Sequence, residues 1–180
     1  ISLTSLIYMV FYIPKFAYIK KRIFSFFNPD TGTHGAQAAK SLDGISSGGF
    51  FGKGPGKGVQ RHFLYAGSSD FIYAITVEQY GLILGGIFPM LLYLIIFYRS
   101  IIISHRTESV FGSLMVASLS FALIFQAAVN MAVNVGLFPV TGQTLPLISK
   151  GGTSIIFTCI AVGIILSVSR NPEDRDYEKA

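Results

Sequence analysis

The sequence predicts an all-α, polytopic membrane protein, and three observations carry that prediction. Of 180 residues, 51% are hydrophobic and only 13% charged, with a mean hydropathy of +0.57, whereas soluble domains carry about a quarter charged residues. Apolar runs of the length a bilayer core demands, about 20 residues as helix, recur along the chain. Within them the apolar residues are continuous rather than confined to one stripe, as in helices buried in lipid and against one another. Cys159 is the only cysteine and lies inside such a run, so no internal disulfide and no CxxC zinc site can form.

Residues 1–13 (ISLTSLIYMVFYI) look like the far end of a span. The chain starts inside that run, with no basic start or small-residue cleavage site, and is expected to be the C-terminal part of a longer protein. Residues 14–69 form a long connecting loop. It opens with KFAYIKKRIFSFF, basic residues interleaved with aromatics as in a helix lying at the membrane interface, turns polar, and ends in the glycine-rich SSGGFFGKGPGKGVQRHF. Residues 70–98 make the next span, with Asp70 and Glu78 at its mouth and Pro89 placed to kink it. A short link at 99–109 (RSIIISHRTES) leads to a span at 110–133, within a stretch, 109–149, that holds no charged residue. Residues 134–150 (NVGLFPVTGQTLPLISK) read as a re-entrant link, 151–169 as the last span, and 170–180 as a polar tail. The whole, 1–180, reads as a single membrane domain with three complete spans and one partial one.

The long loop and the 134–150 link must share one side of the membrane, and the 99–109 link and the tail the other. Eight of the 14 Lys and Arg residues fall between Lys15 and Arg61. Charge counting alone therefore puts the long loop in the cytoplasm, by a rule that weakens for long loops.

Three stretches carry chemistry. Six glycines lie between Gly48 and Gly58, and Lys53 and Lys57 each follow one of them. Neither lysine has a glycine six positions before it or Ser/Thr after it, so no phosphate loop is present, and no GxGxxG register fits. Two readings stay open: a surface loop, or a pliant backbone that carries Lys53, Lys57 and Arg61 close to an anionic group. Asp70 and Glu78 come next. Acids at membrane depth are costly and face an interior or a watery cavity. In one helix, eight residues would put Glu78 about 12 Å deeper and about 80° around from Asp70, too far for a tightly coupled pair. Asp70 follows Ser68 and Ser69 and also fits an N-cap or first-turn acid; Glu78 has no such account. Last, in NMAVNVGLFPVTGQTLPLISKGGTS (130–154), Asn130, Asn134, Gln143 and Thr144 interrupt apolar sequence where broken backbone must be protein-buried or line a cavity. The KGGTS start of the last span frees backbone N–H groups for an anion, as in transporters. From the residues alone, the chain has a membrane cavity that handles an anion.

SSGGFFGKGPGKGVQR, SDFIYAITVEQYG and NVGLFPVTGQTLPLISKGGTS, in that order, resemble the SEDS family (shape, elongation, division and sporulation) of FtsW, RodA and SpoVE. RIFSFFNPD (22–30) and Gln37 fit that family's Arg–Phe–Asn–Pro element, and SDFIYAI with GLFPVTGQTLPL looks more like the division member than the elongation member. The resemblance implies a peptidoglycan glycosyltransferase that polymerises lipid II into β-1,4-linked strands during septal wall synthesis. It would work at the outer face of the bacterial cytoplasmic membrane, with the long loop and the 134–150 link external and the 99–109 link and tail cytoplasmic. Asp70 would be the catalytic general base, and Lys53, Lys57 and Arg61 would neutralise the diphosphate. Gln60, Glu78, Asn130, Thr141, Gln143, Ser149 and Lys150 are further substrate-binding candidates. Gln79 stands where many relatives have a second Glu, Thr141 where Lys is frequent, and Lys150 where an aromatic is frequent.

The implied partners are lipid II, the nascent glycan, membrane lipid, a class B penicillin-binding protein with a single-span anchor, and other divisome proteins, but no nucleic acid. The implied cofactor is a divalent cation, Mg²⁺ or Mn²⁺, with Asp70 as its candidate ligand; His34, His62 and His105 are scattered and make no metal pattern. Two other functions fit the same features, a flippase for the same lipid and a scaffold without chemistry. The chain by itself is expected to be inactive, because part of the cavity lies upstream.

Overall fold

The computed structural model describes residues 33–59 and 69–170, with side chains from Ala36 onward in the first stretch. The partial span at 1–13, the basic–aromatic stretch, the RIFSFFNPD element, Gln60, Arg61, His62 and the tail beyond Arg170 lie outside the described residues, as does the side chain of His34. The elements are α1 (Thr33–Gly48), α2 (Ile72–Gly81), a π-helical segment (Leu82–Ile87) that runs directly into α3 (Phe88–Arg106), α4 (Val110–Asn134) and α5 (Gly152–Ser169). Three apolar runs are long enough to cross a bilayer, Ile72–Arg106, Val110–Asn134 and Gly152–Ser169, and no strand occurs among the described residues. The protein is an all-helical, multi-pass membrane protein.

α3 and α4 form an antiparallel hairpin. α3 continues to Arg106 and stops where Thr107 turns extended; Ser109 then caps α4, its Oγ accepting from the Gly112 N–H at 3.1 Å. The link expected at 99–109 is thus only 107–109. Arg99, Ser100 and Ser104 are polar but do not stop a helix: Ser100 and Thr107 bond back to carbonyls four residues earlier, and Ser104 Oγ meets Ser113 Oγ across the hairpin at 2.9 Å.

The polar stretch after the basic–aromatic segment is a helix rather than loop. The face of α1 turned inward is Ser41, Gly44 and Gly48, small residues spaced to lie along one side. A Cβ on Gly48 would lie 2.4 Å from the Val77 carbonyl oxygen, so α1 rests against the backbone of α2. Ser41 Oγ donates to the Asn134 carbonyl at 2.8 Å, and Ile45 packs on the core. A buried face made of Ser and Gly has almost no hydropathy, which hides its helical period.

The largest departure from expectation lies in 70–98, which is not one rod. Gly81 has φ 82 and ψ 175, a conformation open essentially to glycine alone, and there the chain reverses. A Cβ on Gly85 would lie 2.3 Å from the Thr76 carbonyl oxygen. Tyr73, Val77, Tyr93, Ala127 and Leu145 share one buried cluster, although Tyr73 and Tyr93 would be about 30 Å apart in an unbroken helix. α2 is therefore folded back along the π-helical segment and the start of α3. Glu78 lies near the turn and Asp70 at the other end of α2.

A break in an apolar helix exposes backbone groups that lipid cannot satisfy. The glycine-rich loop satisfies them here. Lys53 and Gly54 donate their N–H groups to the carbonyls of Glu78 and Gln79, both at 3.0 Å, and the Leu82 N–H reaches the Gly49 carbonyl at 2.9 Å. Backbone meets backbone only because side chains are missing: a Cβ on Gly52 (φ +80) would sit 2.3 Å from the Gln79 carbonyl oxygen, and one on Gly81 2.3 Å from that of Phe50. Residues 135–151 then fold back among the helices, with Leu145 and Pro146 fully buried and the Tyr93 hydroxyl donating to the Pro146 carbonyl.

Gly56 also has positive φ (+79), but open space surrounds it. Thermal unfolding of the full-length protein in detergent should show Gly56→Ala losing about 1–2 kcal/mol, the cost of the left-handed backbone alone. Gly81→Ala should lose at least twice that, because it also drives the loop off the turn. Equal losses would mean that the loop contacts contribute nothing.

Candidate functional site

The site is built around the turn Ser69–Asp70, just ahead of α2. Three buried side chains hold its backbone. Asn130 Nδ2 and Asn134 Nδ2 both donate to the Asp70 carbonyl, at 2.9 and 3.0 Å, and Ser149 Oγ donates to the Ser69 carbonyl at 2.6 Å. Asn130 and Asn134 are one turn apart on α4 and so present their amides to the same place. Ser149 is positioned by the Leu145 N–H, which donates to its Oγ at 2.7 Å. The Asp70 side chain is half-buried and accepts from Ser69 Oγ at 2.8 Å. It does not cap α2; Phe71 occupies the N-cap position, without a side-chain cap.

Ser69 also lines a groove of about 470 Å³ between α4 and α5, together with Gln126, Thr144, Ser154 and Thr158. Its polar groups form a chain: Gln126 Nε2 donates to the Thr144 carbonyl at 3.0 Å, Thr144 Oγ1 to Ser154 Oγ at 2.8 Å, and Thr158 Oγ1 to the Ser154 carbonyl at 2.7 Å. Leu123 and Phe157 also line the groove, so these hydroxyls and the amide lie among apolar side chains, without formal charge.

The comparisons with known proteins agree with this architecture. Residues 1–174 match the family of cell cycle proteins typified by FtsW, RodA and SpoVE. The chain belongs to that family. It is 35% identical over 173 residues to a probable peptidoglycan glycosyltransferase FtsW of Lactococcus lactis, covering 93% of this chain and 41% of that protein. It is 39% identical over 153 residues to stage V sporulation protein E of Bacillus subtilis, covering 83% of this chain and 42% of that protein. The fold superposes with a TM-score of 0.68 and 25% identity on a chain from a peptidoglycan synthase complex that coordinates polymerization and crosslinking, over 93% of this chain and 48% of that one. The chain thus spans about two-fifths of the length of these curated relatives.

Within this member of the family, the residues singled out from the sequence fall into separate groups. Glu78, Asn130 and Ser149 are fully buried, and protein atoms occupy their polar groups. Asn130 and Ser149 hold backbone, and Glu78 holds the loop through Lys53 and the Val59 N–H. Glu78 pairs with Lys53 at 3.0 Å and accepts from the Val59 N–H at 3.0 Å; Lys53 also donates to Ser47 Oγ at 2.8 Å. The Lys53 charge is therefore answered inside the protein, and the pair clips the glycine loop to α2 at the end away from Asp70. Lys57, Thr141, Gln143 and Lys150 are exposed, and the Gln143 carbonyl accepts from Asn130 Nδ2 at 2.6 Å. Asn134, Ser69, Gln126 and Ser154 were not singled out as site residues. The asparagines had a readable signal, two amides four residues apart in a span without charge; the others had none.

Among the described residues no three His, Cys, Asp or Glu side chains come together. The described residues' share of a Mg²⁺ or Mn²⁺ site at Asp70 is one carboxylate, which would hold an ion together with oxygens from substrate phosphates and water.

Lys53→Met should cost about 3 kcal/mol in thermal unfolding of the full-length protein, since it leaves the buried Glu78 carboxylate without its cation. The partner's partial exposure keeps the loss at the low end of the range for buried pairs. Lys53→Met with Glu78→Gln should recover most of the loss, because an amide can still accept from Val59. A double variant as unstable as the single one would show that charge pairing is not what holds the loop.

Proposed function

We propose that this chain is the C-terminal part of a peptidoglycan glycosyltransferase that polymerises lipid II at the outer face of the bacterial cytoplasmic membrane during septal wall synthesis. Asp70 is its general base. The carboxylate accepts the proton of an acceptor-sugar hydroxyl as that oxygen bonds to the anomeric carbon of the donor. The bond from that carbon to the polyprenyl diphosphate breaks with inversion, and its electron pair leaves on the diphosphate. This role needs reach and a fixed direction more than a large shift in acidity. The single observation that supports it best is the Ser69–Asp70 turn: its backbone is pinned by three buried side chains, while its carboxylate has only a neighbouring hydroxyl among the described residues. The groove beside Ser69 offers uncharged hydroxyls and an amide among apolar side chains, room for a part of the substrate that carries no charge.

Family membership supports the substrate class, and the likeness to a chain of a peptidoglycan synthase complex supports a transpeptidase partner of the class B penicillin-binding type. Exposed Lys57 of the loop and exposed Lys150 beside Ser149 are described cations that would meet the diphosphate, with Arg61 and Gln60 further along the loop.

The test is glycan-chain synthesis from lipid II by the full-length protein reconstituted with its transpeptidase partner. Asp70→Asn should lower the rate by about 10²–10⁴-fold, the usual contribution of proton transfer, while partner binding is retained. Wild-type polymerisation by Asp70→Asn, combined with lost lipid translocation in vesicles, would replace the enzyme with a flippase.

A further inference from the structure

We infer that Asn134, assisted by Asn130, is a positioning residue that caps α2 from outside and thereby keeps the Asp70 carboxylate free for proton transfer. The inference rests on the reading of Asp70 as general base. A helix start leaves unsatisfied N–H groups, and the side chain that takes the one at the third helical position is ordinarily the helix's own N-cap. In α2 the N-cap is Phe71, which has nothing to offer, and the third position is Ala74. Its N–H donates instead to Asn134 Oδ1 at 3.1 Å, sixty residues along the chain. An aspartate directly ahead of a helix would otherwise be the natural acceptor for these amides. Asp70 is relieved of that task, and its described partner is the Ser69 hydroxyl.

The same asparagine fixes where the carboxylate starts. Asn134 Nδ2 donates to the Asp70 carbonyl at 3.0 Å and, on its other side, to the Asn130 carbonyl at 2.9 Å with Asn130 Oδ1 at 3.2 Å. Asn130 Nδ2 gives its two to the Asp70 carbonyl at 2.9 Å and the Gln143 carbonyl at 2.6 Å. Both side chains are at most 1% exposed, so no water competes for these bonds. Ser41 Oγ of α1 in turn binds the Asn134 carbonyl at 2.8 Å and fixes the end of α4 from which the amides project. Asn134 thus acts on both sides of Asp70, as acceptor for the helix that follows and as donor to the residue itself; Asn130 donates to Asp70 but caps nothing on α2, its own Oδ1 accepting from Asn134 Nδ2 at 3.2 Å.

The division of labour is testable in the full-length protein reconstituted with its transpeptidase partner. Amide exchange at Ala74 should quicken at least tenfold in Asn134→Ala and stay near wild type in Asn130→Ala. In lipid II polymerisation, Asn134→Ala should lower kcat by about 10–100-fold with KM within about twofold, the signature of a misdirected base rather than a lost binding contact. Asn130→Ala should lower kcat less. Tyr93→Phe, which removes a buried hydrogen bond from the same core without touching Asp70, supplies the stability control. Unchanged exchange at Ala74 in Asn134→Ala overturns the inference, as does a kcat loss matched by Tyr93→Phe at equal melting temperature. If Asp70→Asn polymerises normally, the general-base reading fails, and Ala74 exchange still decides whether Asn134 caps the helix.

Discussion

Backbone polar groups in an apolar setting must find partners within the protein, and α2 is the place where that requirement is hardest to meet. It is only ten residues long, too short to be stable by itself, and both of its ends open inside the molecule. At its C-terminal end the reversal at Gly81 strands the carbonyls of Glu78 and Gln79 and the N–H of Leu82, and the glycine loop pairs with all three. At the other end, α4 supplies Asn134 and the 135–151 segment supplies Ser149. A leftover helical turn becomes a fixed strut because other elements complete its hydrogen bonding.

That arrangement accounts for the placement of charge. Glu78 has no exposure to water and needs a cation and donors, and the loop that seals the turn brings both, Lys53 and the Val59 N–H. Gly48, Gly52 and Gly81 serve close contact, since a methyl group at any of them would collide with backbone, whereas Gly49 and Gly56 face open space. Once the loop is seated, its lysine cannot leave without uncovering a buried carboxylate, a penalty of several kcal/mol.

Much of this was legible in the sequence, and the failures have physical causes. The spans at 110–133 and 151–169 came within a residue of the helices found, because continuous hydropathy over about 20 residues has few other meanings. The span at 70–98 misled for the same reason. Gly81 sits in an apolar run beside other glycines, and hydropathy cannot distinguish a helix that continues from one that folds back on itself. α1 was invisible because its buried face is Ser and Gly. Glu78 and Lys53 were each noted as ionisable groups near a membrane, yet nothing in a linear reading pairs residues 25 apart across a chain reversal. Asp70 stood out through its motif; of the asparagines that hold it, Asn130 stood among the substrate-binding candidates and Asn134 registers only as an interruption of apolar sequence.

The separation of Lys53 from Asp70 bears on how such a site can work. A carboxylate in contact with a lysine is half of an ion pair, and its lone pairs are then directed at the ammonium. α2 prevents this by distance: the six residues from Ile72 to Glu78 span about 9 Å of helix rise, and Glu78 takes the one lysine that the loop carries inward. Among the described residues, the side chains that bond the Ser69–Asp70 turn are uncharged, Ser69, Asn130, Asn134 and Ser149, with Lys150 next along the chain from Ser149. Exposed cations that could meet an anionic ligand are, among the described residues, Lys57 in the loop and Lys150 beside Ser149. The strut that gives Asp70 a fixed position therefore also keeps the protein's own inward lysine away from it.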